Sequence, residues 1–175
     1  MLHPVELEEA LQTFSILVDT REQPTERAIK RYQSFGVPYK RAKLEYGDYA
    51  YQYELNGEAV MNTAASVKCP VVVERKMNLD ELAGCFTHDR ERFKREFERA
   101  KEAGARVYLL VENGNFENLA NGKYRSRLHP NAFLSSVLAW QARYDMRLLF
   151  CKEESSGRLI REILYRELKE RLNGT

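Results

Sequence analysis

The run Val71-Val72-Val73, followed at once by Glu74-Arg75-Lys76, constrains the fold more than any other stretch of this chain. Three consecutive β-branched residues suit a strand packed on both faces, as in a sheet covered by helices. The charges that follow fall where such a strand leaves the core. Side chains alternate along a strand, so Glu74 and Lys76 point to one face and Arg75 to the other. A carboxylate and an ammonium two residues apart are costly to desolvate, so they need partners or a task. E-x-K alone is a weak signal, and an edge-strand charge pair explains it equally well.

Periodicity and turn signals place the other elements around this strand. A short acidic amphipathic helix is expected over 5–13 and a strand over 14–18, ending on Asp19-Thr20-Arg21-Glu22. Thr25 suits the N-cap of a helix over 26–35, which Gly36 closes. Residues 39–46 alternate as a half-buried strand does; Gly47-Asp48 interrupts the pattern and 49–55 resumes it. Asn56-Gly57 is a hairpin signal with a return strand over 58–61. Asn78 and Glu81 form a capping box for a helix reaching about Phe86. Thr87 is expected to cap the next helix, 89–103, whose Phe93, Phe97 and Ala100 share a face. Residues 107–112 read as another buried strand. Residues 112–129, polar and rich in Gly and Asn, are expected to form a long mobile loop. A helix over 130–144, a strand over 147–151 and a helix opening at Ser155 or Ser156 follow. This order predicts an α/β fold, a mixed central sheet with helices on both faces. The early strands can pair antiparallel; the later ones need crossovers.

At 175 residues the chain fits a single domain, its core over about 14–151 and its last helix over 155–172. A domain this long buries roughly 70% of its unfolded surface. Net charge is +2, so nucleic-acid affinity would have to come from local clustering. Cys69, Cys85 and Cys151 form no CxxC pair and read as reduced thiols, with structural zinc disfavoured. With no signal peptide and no apolar run near the ~20 residues of a membrane helix, the expectation is an intracellular protein away from membranes, cytoplasmic if prokaryotic or phage and nuclear if eukaryotic.

Asp19, Glu22, Asp48 and Glu74 all fall at strand ends or breaks. Hard oxygen ligands of this kind suit Mg²⁺ or Mn²⁺, which bind through one or two carboxylates, waters and a substrate phosphate. A metal so held acidifies a bound water and stabilises charge on a phosphate. Lys76 can orient that water or neutralise the phosphate. The arrangement has the logic of the PD-(D/E)XK nucleases.

Three blocks then occur in order: Val18-Asp19-Thr20-Arg21-Glu22, Gly47-Asp48-Tyr49, and Glu74-Arg75-Lys76 followed by Asp80-Glu81-Leu82. Here the sequence resembles the XPF-type nucleases, with their Mus and Hef relatives, whose signature is V-D-x-R-E, then G-D, then E-R-K-x-x-x-D. Phe86, Arg90, Arg92 and Phe93 resemble the family's helical stretch after E-R-K. The resemblance spans about 14–151 and implies a restriction-endonuclease-like fold and a Mg²⁺- or Mn²⁺-dependent DNA endonuclease acting on branched, flap or fork DNA in repair or recombination. Carried over, Asp48 and Glu74 are the metal ligands, supported by Asp19 and Glu22, and Lys76 is the catalytic lysine. Arg21, Arg75 and Asp80 are the supporting charged residues of that catalytic set. A structural ion pair tying strand to helix explains Arg75 and Asp80 as readily. The resemblance also implies pairing with a second copy or another subunit through the C-terminal helices. Two departures stand out: the hairpin and 62–70 loop lengthen the connection from G-D to E-R-K, and no helix-hairpin-helix unit follows.

Lys123, Arg125 and Arg127, with Tyr124 among them, form a basic stretch suited to phosphate contact or base stacking. Arg90 and Arg92 lie in a helix whose basic residues alternate with acids, which reads as a solvated face or as a DNA contact. Scattered histidines give no HNH or metal cluster, Ser135-Ser136 has no nucleophile elbow, and there is no Walker-type loop. The rival readings are a non-catalytic DNA-binding or scaffold subunit, which typically lacks the acids or lysine kept here, and a less selective phage-type nuclease.

Overall fold

The computed structural model describes residues 3–174. Its strands are β1 (Ser15–Asp19), β2 (Tyr39–Ala42), β3 (Tyr49–Leu55), β4 (Glu58–Met61), β5 (Val71–Lys76), β6 (Arg106–Glu112) and β7 (Arg147–Cys151). They form a seven-stranded mixed sheet in the order β2-β1-β3-β5-β6-β7, with β4 paired to β3. The helices are α1 (Pro4–Gln12), α2 (Glu26–Gln33), α3 (Leu79–Cys85), α4 (Arg90–Glu102), α5 (Phe116–Ala120), α6 (Pro130–Tyr144) and α7 (Glu153–Leu172). No described helix is long and apolar enough to cross a membrane.

Helices cover both faces, and β5 shows why its three valines are consecutive. Val71 and Val73 pack with residues of α1, α2 and α7, whereas Val72 packs with α3, α4 and α6. The same alternation carries Glu74 and Lys76 out on the α3–α4 side and Arg75 on the α2–α7 side. On the first side Phe93 stacks on Trp140 at 4.9 Å and 14°, with Phe86, Phe97 and Tyr144 around the indole. Truncating a buried Trp costs about 3–5 kcal/mol, so this cluster fixes α4 against the sheet.

Several expectations are corrected. Residues 39–46 do not form one strand resumed by 49–55. β2 stops at Ala42 and pairs parallel with β1, while β3 pairs antiparallel with the other edge of β1. The crossover through α2 returns the chain in the same direction, so an antiparallel pair is excluded there. The alternation beyond Ala42 is real but belongs to a loop that buries Leu44 and Tyr46. The hairpin forms as expected, with Asn56 and Gly57 both at positive φ (54° and 76°). Asn78 caps α3 through the Glu81 N–H, but the Glu81 carboxylate accepts from Met77 N–H, one residue before the cap. Thr87 does not cap α4; its hydroxyl donates to the Ala83 and Gly84 carbonyls and closes α3 instead. The 112–129 segment is not a structureless loop, since it contains α5, capped by Asn115. The last helix begins at Glu153, ahead of both serines.

The apolar stripe of α7 (Ile160, Ile163, Leu164, Leu168, Leu172) is buried on the sheet. That of α6 is buried as well, leaving Leu138 exposed.

Candidate active site

Three strand ends meet at one cleft. Asp48 lies in the turn entering β3, where its N–H donates to the Val73 carbonyl and its carbonyl accepts from Asp19 N–H, both at 2.9 Å. The carboxylate accepts from Arg75 N–H at 2.7 Å through Oδ2. Gly47 makes this turn possible. Its φ is +72°, and a Cβ there would lie 2.7 Å from the Val72 Cβ. A side chain is therefore excluded on both counts.

The end of β5 supplies Glu74, 4% exposed, whose Oε1 accepts from the Lys76 ammonium at 2.5 Å. The ammonium also lies 5.1 Å from the Phe93 ring centroid. Asp48, Glu74 and Lys76 thus share a polar cleft of about 450 Å³, with Arg21 and Glu22 on one side and Arg92, Arg95, Glu96 and Arg99 of α4 on the other. Burial, and then the Glu74 carboxylate, push the Asp48 carboxyl well above the usual range. Burial opposes the Lys76 ammonium, but the surrounding negative charge, Glu74 foremost, outweighs it and the net shift is upward. Cys85 also lines the cleft, and burial raises its thiol to about 12, so it stays protonated and unreactive.

The other expected site residues divide into those at the cleft and those elsewhere. Asp19 has both carboxylate oxygens engaged, Oδ1 by Leu44 N–H at 3.0 Å and Oδ2 by Arg21 Nε. Glu22 lines the cleft but accepts from the Tyr49 hydroxyl at 3.1 Å and faces Arg75 at 3.8 Å. Arg75 lies across the sheet, 3.2 Å from Glu112, which is fully buried and also pairs with Arg31 at 3.1 Å. Asp80 does not pair with Arg75. Its Oδ1 accepts from Arg125 N–H at 2.7 Å and Ser126 N–H at 2.8 Å, and its Oδ2 meets Arg125 Nε at 3.3 Å.

Asp80 therefore ties the basic segment to the start of α3. Lys123, Arg125 and Arg127 are exposed. Tyr124 is not free for a base, because its ring packs edge-on against Phe133 at 5.3 Å and its hydroxyl donates to the Leu128 carbonyl. On α4, Arg92 lines the cleft while pairing with Asp89 at 3.2 Å, and Arg90 is exposed away from the lining. Arg95, Glu96 and Arg99 also line the cleft, and the sequence reading does not single them out as site residues. Their signal was helical spacing: Arg92, Arg95 and Arg99 recur at i, i+3 and i+7, beside the buried Phe93 and Phe97.

Among the described residues, no three of His, Cys, Asp and Glu come together as a metal-ligand set. What remains is a carboxylate pair, Asp48 and Glu74, with Asp48 Oδ1 and Glu74 Oε2 taking no hydrogen bond from the described residues. Two like charges held together with unengaged oxygens fit a Mg²⁺- or Mn²⁺-class cation, which needs only one or two protein carboxylates.

A mixed sheet covered on both faces, with an acidic pair and a lysine at the meeting of its strand ends, defines a restriction-endonuclease-like α/β fold. Residues 18–163 match the family described as ERCC4 domain, and the chain belongs to that family. Membership supports a DNA endonuclease. Two similar solved structures share the fold. XPF from Aeropyrum pernix is 21% identical, with a TM-score of 0.59, over 90% of this chain and 68% of that one. XPF from Aeropyrum pernix in complex with DNA is 24% identical, with a TM-score of 0.59, over 90% of this chain and 66% of that one. The chain thus spans about two thirds of the length of those relatives. No curated protein matches it.

Proposed function

We propose that this chain hydrolyses DNA phosphodiester bonds as a Mg²⁺- or Mn²⁺-dependent endonuclease, with branched, flap or fork DNA as its substrate. One observation carries the reading: Asp48 and Glu74 converge with Lys76 in a single open cleft and keep unengaged carboxylate oxygens. A bound divalent cation would acidify a water and stabilise charge on the phosphate. Asp48 and Glu74 are the residues to hold it. Arg75 N–H keeps Asp48 oriented by engaging Oδ2 and leaving Oδ1 unengaged. Lys76, aimed by Glu74 and the Phe93 face, places a cation where charge grows on the phosphoryl oxygens. Arg92, Arg95 and Arg99 offer phosphate contacts along the rim. DNA as the polymer agrees with the similar XPF structure in complex with DNA. Branched substrates, a role in repair or recombination and pairing through the C-terminal helices rest on the family resemblance.

The test is cleavage of labelled flap, fork, four-way-junction and duplex DNA with Mg²⁺ or Mn²⁺ and with EDTA. Wild type is compared with Asp48→Ala and Lys76→Ala. Metal-dependent cutting lost in both variants is the expected result. DNA binding with no cutting of any substrate would instead leave a scaffold domain.

A further inference from the structure

Asp48 is useful only if its turn holds still, and the residue before it cannot help with a side chain. Gly47 has a left-handed φ of +72° and stands against Val72. Its N–H points across the cleft to α4 and donates to Glu96 Oε1 at 3.1 Å. Glu96 sits on a fixed base, because Phe93 and Phe97 flank it in the chain and are buried against Trp140. Arg21 Nη2 approaches the same Oε1 at 3.9 Å, and Arg21 is itself held by Asp19. The Glu96 side chain is only 18% exposed, although it lines a cleft. A carboxylate at that position has one structural duty already, and no third ligand joins Asp48 and Glu74 among the described residues.

We propose that Glu96 is a positioning residue. By accepting the Gly47 N–H it locks the Gly47-Asp48 turn to α4 and presents Asp48 to the metal, without ligating the metal itself. The part played by the metal rests on the function proposed above; the hydrogen bond does not. Partners that hold a ligand in place typically cost 10–100-fold in metal affinity or activity when removed.

The experiment separates the carboxylate's shape from its charge. Glu96→Gln keeps an acceptor oxygen for Gly47 and loses the charge; Glu96→Ala loses both. Two readouts are taken on the full chain: amide hydrogen exchange at Gly47 in metal-free protein, and Mn²⁺ affinity by titration calorimetry. The expected result is fast Gly47 exchange in Glu96→Ala with Mn²⁺ affinity down roughly 10–100-fold. Glu96→Gln should keep the Gly47 protection and most of the affinity. If Glu96→Ala leaves both readouts at the wild-type level, the proposal fails. It also fails if Glu96→Gln protects Gly47 yet loses Mn²⁺ as badly as Glu96→Ala, for Glu96 would then be a ligand. Wild type that binds no Mn²⁺ while the exchange pattern holds upholds the anchor and sinks the metal-site reading instead.

Discussion

Glu112 is a residue whose loss should cost a large part of the stability. It is fully buried, yet it carries a charge and faces two guanidiniums, Arg31 at 3.1 Å and Arg75 at 3.2 Å. Those partners are themselves withdrawn from water, with side chains 4% and 14% exposed. Glu112→Gln preserves the volume but leaves two buried cations with one fewer counter-charge. Glu22 offers only weak compensation, at 3.8 Å from Arg75, and nothing to Arg31 but a shared neighbour in the Tyr49 hydroxyl. Breaking a buried ion pair by removing one partner costs about 3–5 kcal/mol. Against a total stability of about 5–15 kcal/mol that is a large fraction. For a chain of this size, about 2–4 °C per kcal/mol converts it to a fall in Tm of roughly 6–20 °C. Urea and thermal unfolding followed by circular dichroism would measure it. A loss under about 1 kcal/mol would refute the reasoning and mean that water or a shifted side chain already serves the two arginines.

Three further outcomes follow from the same geometry. Asp48→Asn should raise the Tm of the metal-free protein at neutral pH, because burial and Glu74 hold the native carboxyl above its unfolded value. The folded state then binds the extra proton, so wild-type stability should fall as pH rises through that raised pKa, and the variant should lose this slope. Added Mn²⁺ at about 100 times its Kd should stabilise wild type by about 2.7 kcal/mol and leave the variant unchanged, as read by differential scanning fluorimetry. Asp80→Ala leaves the Arg125 and Ser126 N–H groups to water, at a cost of about 0.5–1.5 kcal/mol per hydrogen bond; faster tryptic cleavage after Arg125 and Arg127 would report it, and an unchanged rate would contradict the anchoring role. Replacing Arg92, Arg95 and Arg99 together by Ala should flatten the dependence of log K for duplex DNA on log salt by about 2–3, since each lost phosphate contact is worth about 0.9. An unchanged slope would place the DNA elsewhere.

Much of this was legible because the signals were short-ranged. The valine run announced a strand covered on both faces, and alternation put Glu74 and Lys76 opposite Arg75 before any partner was known. Asn56-Gly57 announced its turn through two residues tolerant of positive φ. What stayed hidden was partner choice. Asp80 reads as a neighbour of Arg75, but its acceptors face Arg125 and Ser126, more than forty residues away. Glu112 ends an ordinary buried strand in the sequence, and only tertiary folding brings Arg31 of α2 to it across 81 residues. The alternation in 39–46 misled because burial, not strand pairing, drives it: Leu44 and Tyr46 enter the core from a loop. Glu96 was obscured by its setting, a helix so densely charged that a solvated face accounts for most of it.

The two faces of β5 explain why three adjacent charges can serve one cleft by different means. Glu74 and Lys76 emerge on the α4 side and neutralise each other at its floor. Arg75 emerges behind them, where Glu112 takes its side chain. Its backbone N–H meanwhile reaches Asp48 Oδ2. That amide can hold Asp48 in register only while the strand end is fixed, and the Arg75–Glu112 pair reinforces from behind the β5–β6 ladder that runs to Lys76. Arg75 can therefore matter to the cleft without its guanidinium entering it. Replacing it with a residue of similar length but no charge should disturb Asp48 through the backbone and strand Glu112 in the core, so stability and metal affinity should fall together. Lys76 is different in kind. Its replacement removes the cation at the cleft and relieves no buried partner except Glu74, so turnover should fall much further than metal affinity. That contrast separates the foundation of the cleft from its chemistry.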